Sequence, residues 1–146
     1  MSTEANKALI QKWVDEVLNT RDVSDNSPAY QLVAADFVGH FPGQPPLEGL
    51  EAYRQFGSMY FGAFPDLRIT PEDLIAEGEK VTMRYDWRGT HQGELMGIPA
   101  TGKQVRASGI SILRVANGKI AEQWDNFDNL GMLQQLGVVP APGQAS

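Results

Sequence analysis

Apolar residues recur at helical spacing in the first half of the chain and alternate with polar ones in the second, with the change near Leu67. Within Ala5 to Leu18, residues Leu9, Ile10, Trp13, Val14 and Val17 share one helical face, and Ser2 or Thr3 can cap that helix. A polar connection over Asp22 to Pro28 leads to a short second helix, Ala29 to Ala35. The run Phe41-Pro42-Gly43-Gln44-Pro45-Pro46 is a loop, because its prolines cannot donate ladder bonds. A third helix is predicted over Leu47 to Phe61. It sets Tyr53, Phe56 and Tyr60 in an aromatic stripe that Phe64 extends. Core packing accounts for such a stripe, and so does the wall of an apolar ligand cavity.

From Leu67 to Glu77 the chain reads as extended. Lys80 to Arg88 alternates clearly: Val81, Met83, Tyr85 and Trp87 on one face, Thr82, Arg84, Asp86 and Arg88 on the other. Val105 to Val115 and Lys119 to Phe127 form a hairpin around Ala116-Asn117-Gly118, an Asn-Gly pair suited to positive φ. A closing helix, Asn129 to Leu136, is capped by Asp128 and stopped by Gly137. Helices first and strands afterwards predict an α+β fold. With 146 residues and no repeat or linker, one domain spanning 1–146 is expected, with loose ends at 1–4 and 138–146.

Composition narrows the chemistry. A net charge of −6 with no Lys/Arg cluster argues against nucleic-acid binding. No apolar run approaches the ~20 residues of a membrane span. Met1 to Lys7 show no basic start followed by an apolar core, so no signal peptide is expected. Cysteine is absent, which removes thiolate metal sites and a Cys nucleophile and suits a cytoplasmic protein. Two histidines, His40 and His91, with no His-x-His or His-Glu-x-x-His, predict no metal site.

On its strand Asp125 shares a face with Gln123 and Phe127, while Ala107, Gly109 and Ser111 share one face of the preceding strand. Small side chains beside a carboxylate suggest a cavity wall with an acid in it. Such a carboxyl loses hydration when charged, so its pKa rises and it can shuttle a proton. A strand-end Asp bonded to nearby amides is the plainer reading.

The loop Gly89 to Lys103, with Asn117-Gly118-Lys119-Ile120 and Glu122-Gln123-Trp124-Asp125-Asn126-Phe127-Asp128, resembles the SnoaL-like polyketide cyclases. These belong with ketosteroid isomerase and nuclear transport factor 2 among cone-shaped folds. The resemblance implies a curved antiparallel sheet wrapped around three helices, an apolar pocket, a hydrophobic small-molecule substrate and a homodimer. It matches Asp125 to the cyclases' general acid/base aspartate and implies cofactor-independent aldol closure of a polyketide ester. His40, His91 or Gln123 would then hold the developing enolate oxygen. Trp13, Tyr53, Phe56, Tyr60, Ser111, Gln123 and Phe127 are expected to line the pocket. His40 and His91 also admit structural roles in their loops, satisfied by backbone groups.

Two alternatives stay open. Thr82-Met83-Arg84-Tyr85-Asp86 with Trp124-Asp125 resembles limonene-1,2-epoxide hydrolase, implying Asp125 and Asp86 as carboxylates bridged by Arg84. Against it, Arg84 and Asp86 lie on the strand face that reads as solvent-facing. The other is a non-catalytic binder or dimeric interaction domain. A ketosteroid isomerase oxyanion hole is not expected, since the first helix offers Trp13 and the strand Ser111.

Overall fold

The computed structural model describes residues 2–140 and 143. Helix α1, Thr3–Trp13, is capped by the Ser2 hydroxyl, which accepts from the Ala5 amide, and it runs on as one π-helical turn through Val14–Leu18. Ile10, Trp13, Val14 and Val17 make its buried face, as the periodicity predicts. The expectation of loose ends falls partly on residues 1, 141, 142 and 144–146, which lie outside the described residues. At the other end the helix already begins at Thr3.

The second predicted helix forms but is cut short by a strand. Helix α2 is confined to Ala29–Leu32, and Val33–His40 forms β1. Its Val38 and Gly39 pair antiparallel with β2, Leu47–Glu48. That pairing claims the start of the third predicted helix, so α3 runs over Leu50–Ala63, entered through Gly49 at φ 93°.

Strands β3 (Arg68–Glu77), β4 (Lys80–Thr90), β5 (Gln104–Ala116) and β6 (Lys119–Phe127) follow as hairpins. The last turns through Asn117 at φ 52° and Gly118 at φ 73°, the two positive angles that an Asn-Gly hairpin needs. The sheet order is β2-β1-β6-β5-β4-β3, curved and unclosed. Its pairings are antiparallel except one: β1 runs parallel to β6, with Gly39 beside Gln123 and His40 beside Trp124. The sheet is therefore mixed where an antiparallel one was expected.

Helix α4, Asn129–Leu136, is capped by Asp128, whose carboxylate accepts from the Gly131 amide at 2.9 Å, and it ends at Gly137 in the left-handed conformation. The core lies between the sheet's inner face and helices α1 and α3, with Phe37, Phe64, Met83 and Leu113 among its fully enclosed side chains. No helix among the described residues is long and apolar enough to cross a membrane.

Candidate active site

The sheet's inner face does not close completely on the helices. A cavity of about 130 Å³ remains, open to solvent on one side. Trp13, Tyr53, Met83, Ser111 and Gln123, all buried, form its closed end, and the partly exposed Phe41, Phe56 and Phe61 stand at the mouth. Tyr60, Tyr85, Trp87 and Phe127 complete an aromatic wall. The seven side chains expected to line a pocket all border this cavity.

Strand register places one acid in that wall. Across the sheet Met83 pairs with Ser111 and Ser111 with Asp125, so the three project to the same side. Asp125 is 7% exposed. Its Oδ1 accepts from the Tyr85 hydroxyl at 2.7 Å and from the Ser111 hydroxyl. Ser111 Oγ in turn accepts from Gln123 Nε2 at 3.2 Å. Oδ2 has no protein donor among the described residues, which leaves it to the cavity.

Burial pushes the Asp125 carboxyl above the usual carboxylate range, and the Ser111 and Tyr85 hydrogen bonds hold the rise back. Burial raises Tyr60 to about 12, helped by the Asp125 charge, so its hydroxyl stays a proton donor through the neutral range. Tyr85 is raised further by the same two causes. Tyr53, raised by burial, accepts from Trp13 Nε1 at 2.9 Å.

The remaining candidates lie elsewhere. Arg84 pairs with Asp73 at 2.7 Å, and Asp86 accepts from Arg106 at 2.9 Å, with Arg88 3.5 Å away. Arg84 is opposite Ile110 and Asp86 opposite Ser108, on the outer face of the sheet. The Asp125–Arg84–Asp86 arrangement therefore does not assemble, because alternation along β4 turns two of its members away from the third. His40 is also on the outer face: it stacks on Trp124 with ring centroids 5.4 Å apart and meets Glu122 at 2.7 Å. That contact is the main reason the Glu122 carboxyl is held below its ordinary value.

His91 is fully enclosed in the loop after β4. Its Nδ1 accepts from the Thr101 amide at 3.2 Å, and its ring packs on Phe64. There it orients the loop backbone, and it does not border the cavity. Neither histidine reaches Asp125, so the expectation that one of them serves the enolate fails on placement.

Tyr85 lies on the inner face that the alternation of β4 predicts, but no motif marks it as a site residue. The signal was present: among Val81, Met83, Tyr85 and Trp87 only Tyr85 carries a hydroxyl, and its cross-strand partner is Gly109. A Cβ at Gly109 would lie 2.5 Å from the Tyr85 oxygen and 2.9 Å from Phe127 Cβ. The glycine gives Tyr85 room to cross β5 toward Asp125. Gly109→Ala is expected to lower the melting temperature by about 3–10 °C through overpacking. It should also raise the Asp125 pKa further as the tyrosine is displaced, which thermal denaturation and carboxyl-carbon NMR would read.

Comparison with known proteins identifies the family and the fold. Residues 8–136 match the family described as SnoaL-like polyketide cyclase. The chain is 31% identical over 138 residues to the aklanonic acid methyl ester cyclase DnrD of Streptomyces peucetius, covering 94% of this chain and 92% of that protein. It is 33% identical over 137 residues to the aklanonic acid methyl ester cyclase DauD of Streptomyces sp. strain C5, covering 88% and 80%. The structure of AclR from Streptomyces galilaeus superposes with a TM-score of 0.84 at 28% identity, covering 98% of this chain and 87% of that one. The buried acid of the sheet's inner face thus sits in a chain that belongs to the SnoaL-like polyketide cyclase family.

Proposed function

We propose that the protein is a cofactor-independent cyclase that closes a ring in an aromatic polyketide ester by an intramolecular aldol reaction. One observation carries this reading: a single buried carboxylate in an aromatic wall, with one oxygen tied by two hydroxyls and the other left to the cavity. Asp125 Oδ2 takes the proton from a carbon acidified by adjacent carbonyls. The enolate carbon attacks a ketone carbon of the same molecule, forming the C–C bond, and the resulting alkoxide recovers the proton from Asp125. Atoms balance without water or a redox partner.

Tyr60 supplies a neutral O–H toward the developing enolate oxygen, since its hydroxyl takes no protein partner among the described residues. Conjugation already stabilises such an enolate, so one donor and one base suffice. The names of DnrD and DauD point to aklanonic acid methyl ester as the first compound to try.

The test is the rate of ring closure of that ester as a function of pH. A general base must be ionised, so kcat/KM should rise with pH through the Asp125 titration. The midpoint should lie above the ~3.9 of a free aspartate, because burial penalises the charged form. Binding of the ester without closure at any pH would make the protein a binder and sink the catalytic reading.

A further inference from the structure

The hydrogen-bond chain behind Asp125 leaves one polar atom of the cavity wall unused. Gln123 is 5% exposed and borders the cavity, and its carbonyl Oε1 is enclosed without any hydrogen-bond partner. Rotating the amide cannot relieve this. Ionised Asp125 can only accept, so the Tyr85 and Ser111 protons both point at it. Ser111 Oγ then has only lone pairs to offer Gln123, which must present its N–H₂ there. The carbonyl end is thereby fixed as an acceptor with nothing to accept. Buried acceptors ordinarily find a donor, and one left over in a cavity wall awaits a ligand that brings it.

The surroundings restrict that donor. Trp13, Met83 and Tyr53 at this end are apolar or already engaged, and the nearby charge, Asp125, is negative. A charged donor would be drawn to Asp125 Oδ2, so a neutral O–H suits Gln123.

We propose that Gln123 Oε1 is the acceptor for a neutral hydroxyl on the ring system of the bound ligand, selecting hydroxylated aromatic substrates over their deoxy analogues. This rests on the acid/base reading in taking Asp125 as the ionised acceptor. Gln123 fixes the end of the ring system that enters first, and so which carbon faces Asp125.

The test uses two inert probes of similar shape, 1-naphthol and 1-methylnaphthalene, titrated calorimetrically into wild type, Gln123→Met and Asp125→Asn. Neither probe undergoes ring closure, so the result is separate from whether Asp125 catalyses one. The naphthol-to-methylnaphthalene affinity ratio should fall about tenfold in Gln123→Met, the factor that one hydrogen bond of ordinary strength carries. Methylnaphthalene binding should stay within about threefold of wild type, whereas a purely structural role for Gln123 would weaken both probes alike. In Asp125→Asn the ratio should be retained.

In the wild type, the Gln123 side-chain carbonyl carbon should shift in NMR spectra on saturation with 1-naphthol and not with 1-methylnaphthalene. This arm decides the matter if Gln123→Met does not fold. An unmoved carbonyl signal, a ratio that survives in Gln123→Met, or one lost only in Asp125→Asn would overturn the proposal. The last would send the hydroxyl to Asp125.

Discussion

Asp125→Asn is expected to lower the rate of ring closure by about 10²–10⁴-fold, the range over which a positioned general acid/base contributes, while leaving ligand affinity within a few-fold. The asparagine keeps an oxygen where Oδ1 stands, so the Tyr85 and Ser111 hydroxyls can still donate to it. Only the charge and the proton-accepting oxygen on the cavity side are lost. The pH dependence of kcat/KM should flatten with them.

Stability should move the other way, and its sign follows from the raised pKa. The folded state holds the Asp125 proton more tightly than the unfolded chain does, because burial penalises the charged form. The resulting stabilisation is complete below the ordinary carboxylate pKa and is lost as pH rises through the higher folded value. At neutral pH the wild type therefore carries a buried charge that the asparagine variant lacks. Chemical denaturation should find the variant at least as stable at pH 7, with its advantage disappearing in acid. A variant that loses turnover together with its fold would assign Asp125 to structure instead.

The parts of this fold that were legible in the sequence are those whose signals are local. The 3.6-residue period of α1, the alternation of β4, the Asn117-Gly118 turn and the Asp128 cap each depend on a few neighbouring residues, and each has its counterpart in the structure. Strand β1 was not legible, for a specific reason. Its register against β6 shifts between Val33 and Val38, and its fully enclosed side chains Val33 and Phe37 are four residues apart. A spacing of four imitates a helix, and Ala34 and Ala35 add helix-favouring residues between them. The parallel pairing of β1 with β6 joins residues over 80 positions apart, beyond any window read along the chain.

The site divides along the same line. Alternation within β6 and β5 puts Asp125, Gln123 and Ser111 together. The position of His40 depends on β1 and was lost with it. A helix or loop could have carried the imidazole to the cavity, whereas the strand fixes it beside Trp124 on the outer face. Tyr85 lay on the face read as inward, yet its bond to Asp125 depends on two successive registers, β4 on β5 and β5 on β6.

Phe37→Ala tests the element that was misread, and its effect on stability should be the largest of any single substitution considered for this protein. Phe37 is fully enclosed, and its ring meets Tyr53 edge-on at 4.8 Å. Truncating a buried phenylalanine costs about 3–5 kcal/mol where the surroundings cannot collapse into the space. Collapse is hindered here: β1 is held between β2 and β6, and α3 enters directly from β2 through Gly49, whose amide donates to the Phe37 carbonyl at 2.6 Å. For a chain of this length the expected fall in melting temperature is roughly 10–16 °C.

Ligand binding should weaken with it, because Tyr53 loses the ring that backs it and Trp13 is hydrogen-bonded to Tyr53 at the closed end of the cavity. Phe56→Ala, at the partly exposed mouth, should show the reverse balance, with a small stability loss and a clear loss of affinity. Thermal melts and ligand titrations of the two variants separate the cases. A Phe37→Ala protein that melts within about 3 °C of wild type would mean that β1 does not seat this ring in the core and that Tyr53 is not backed by it.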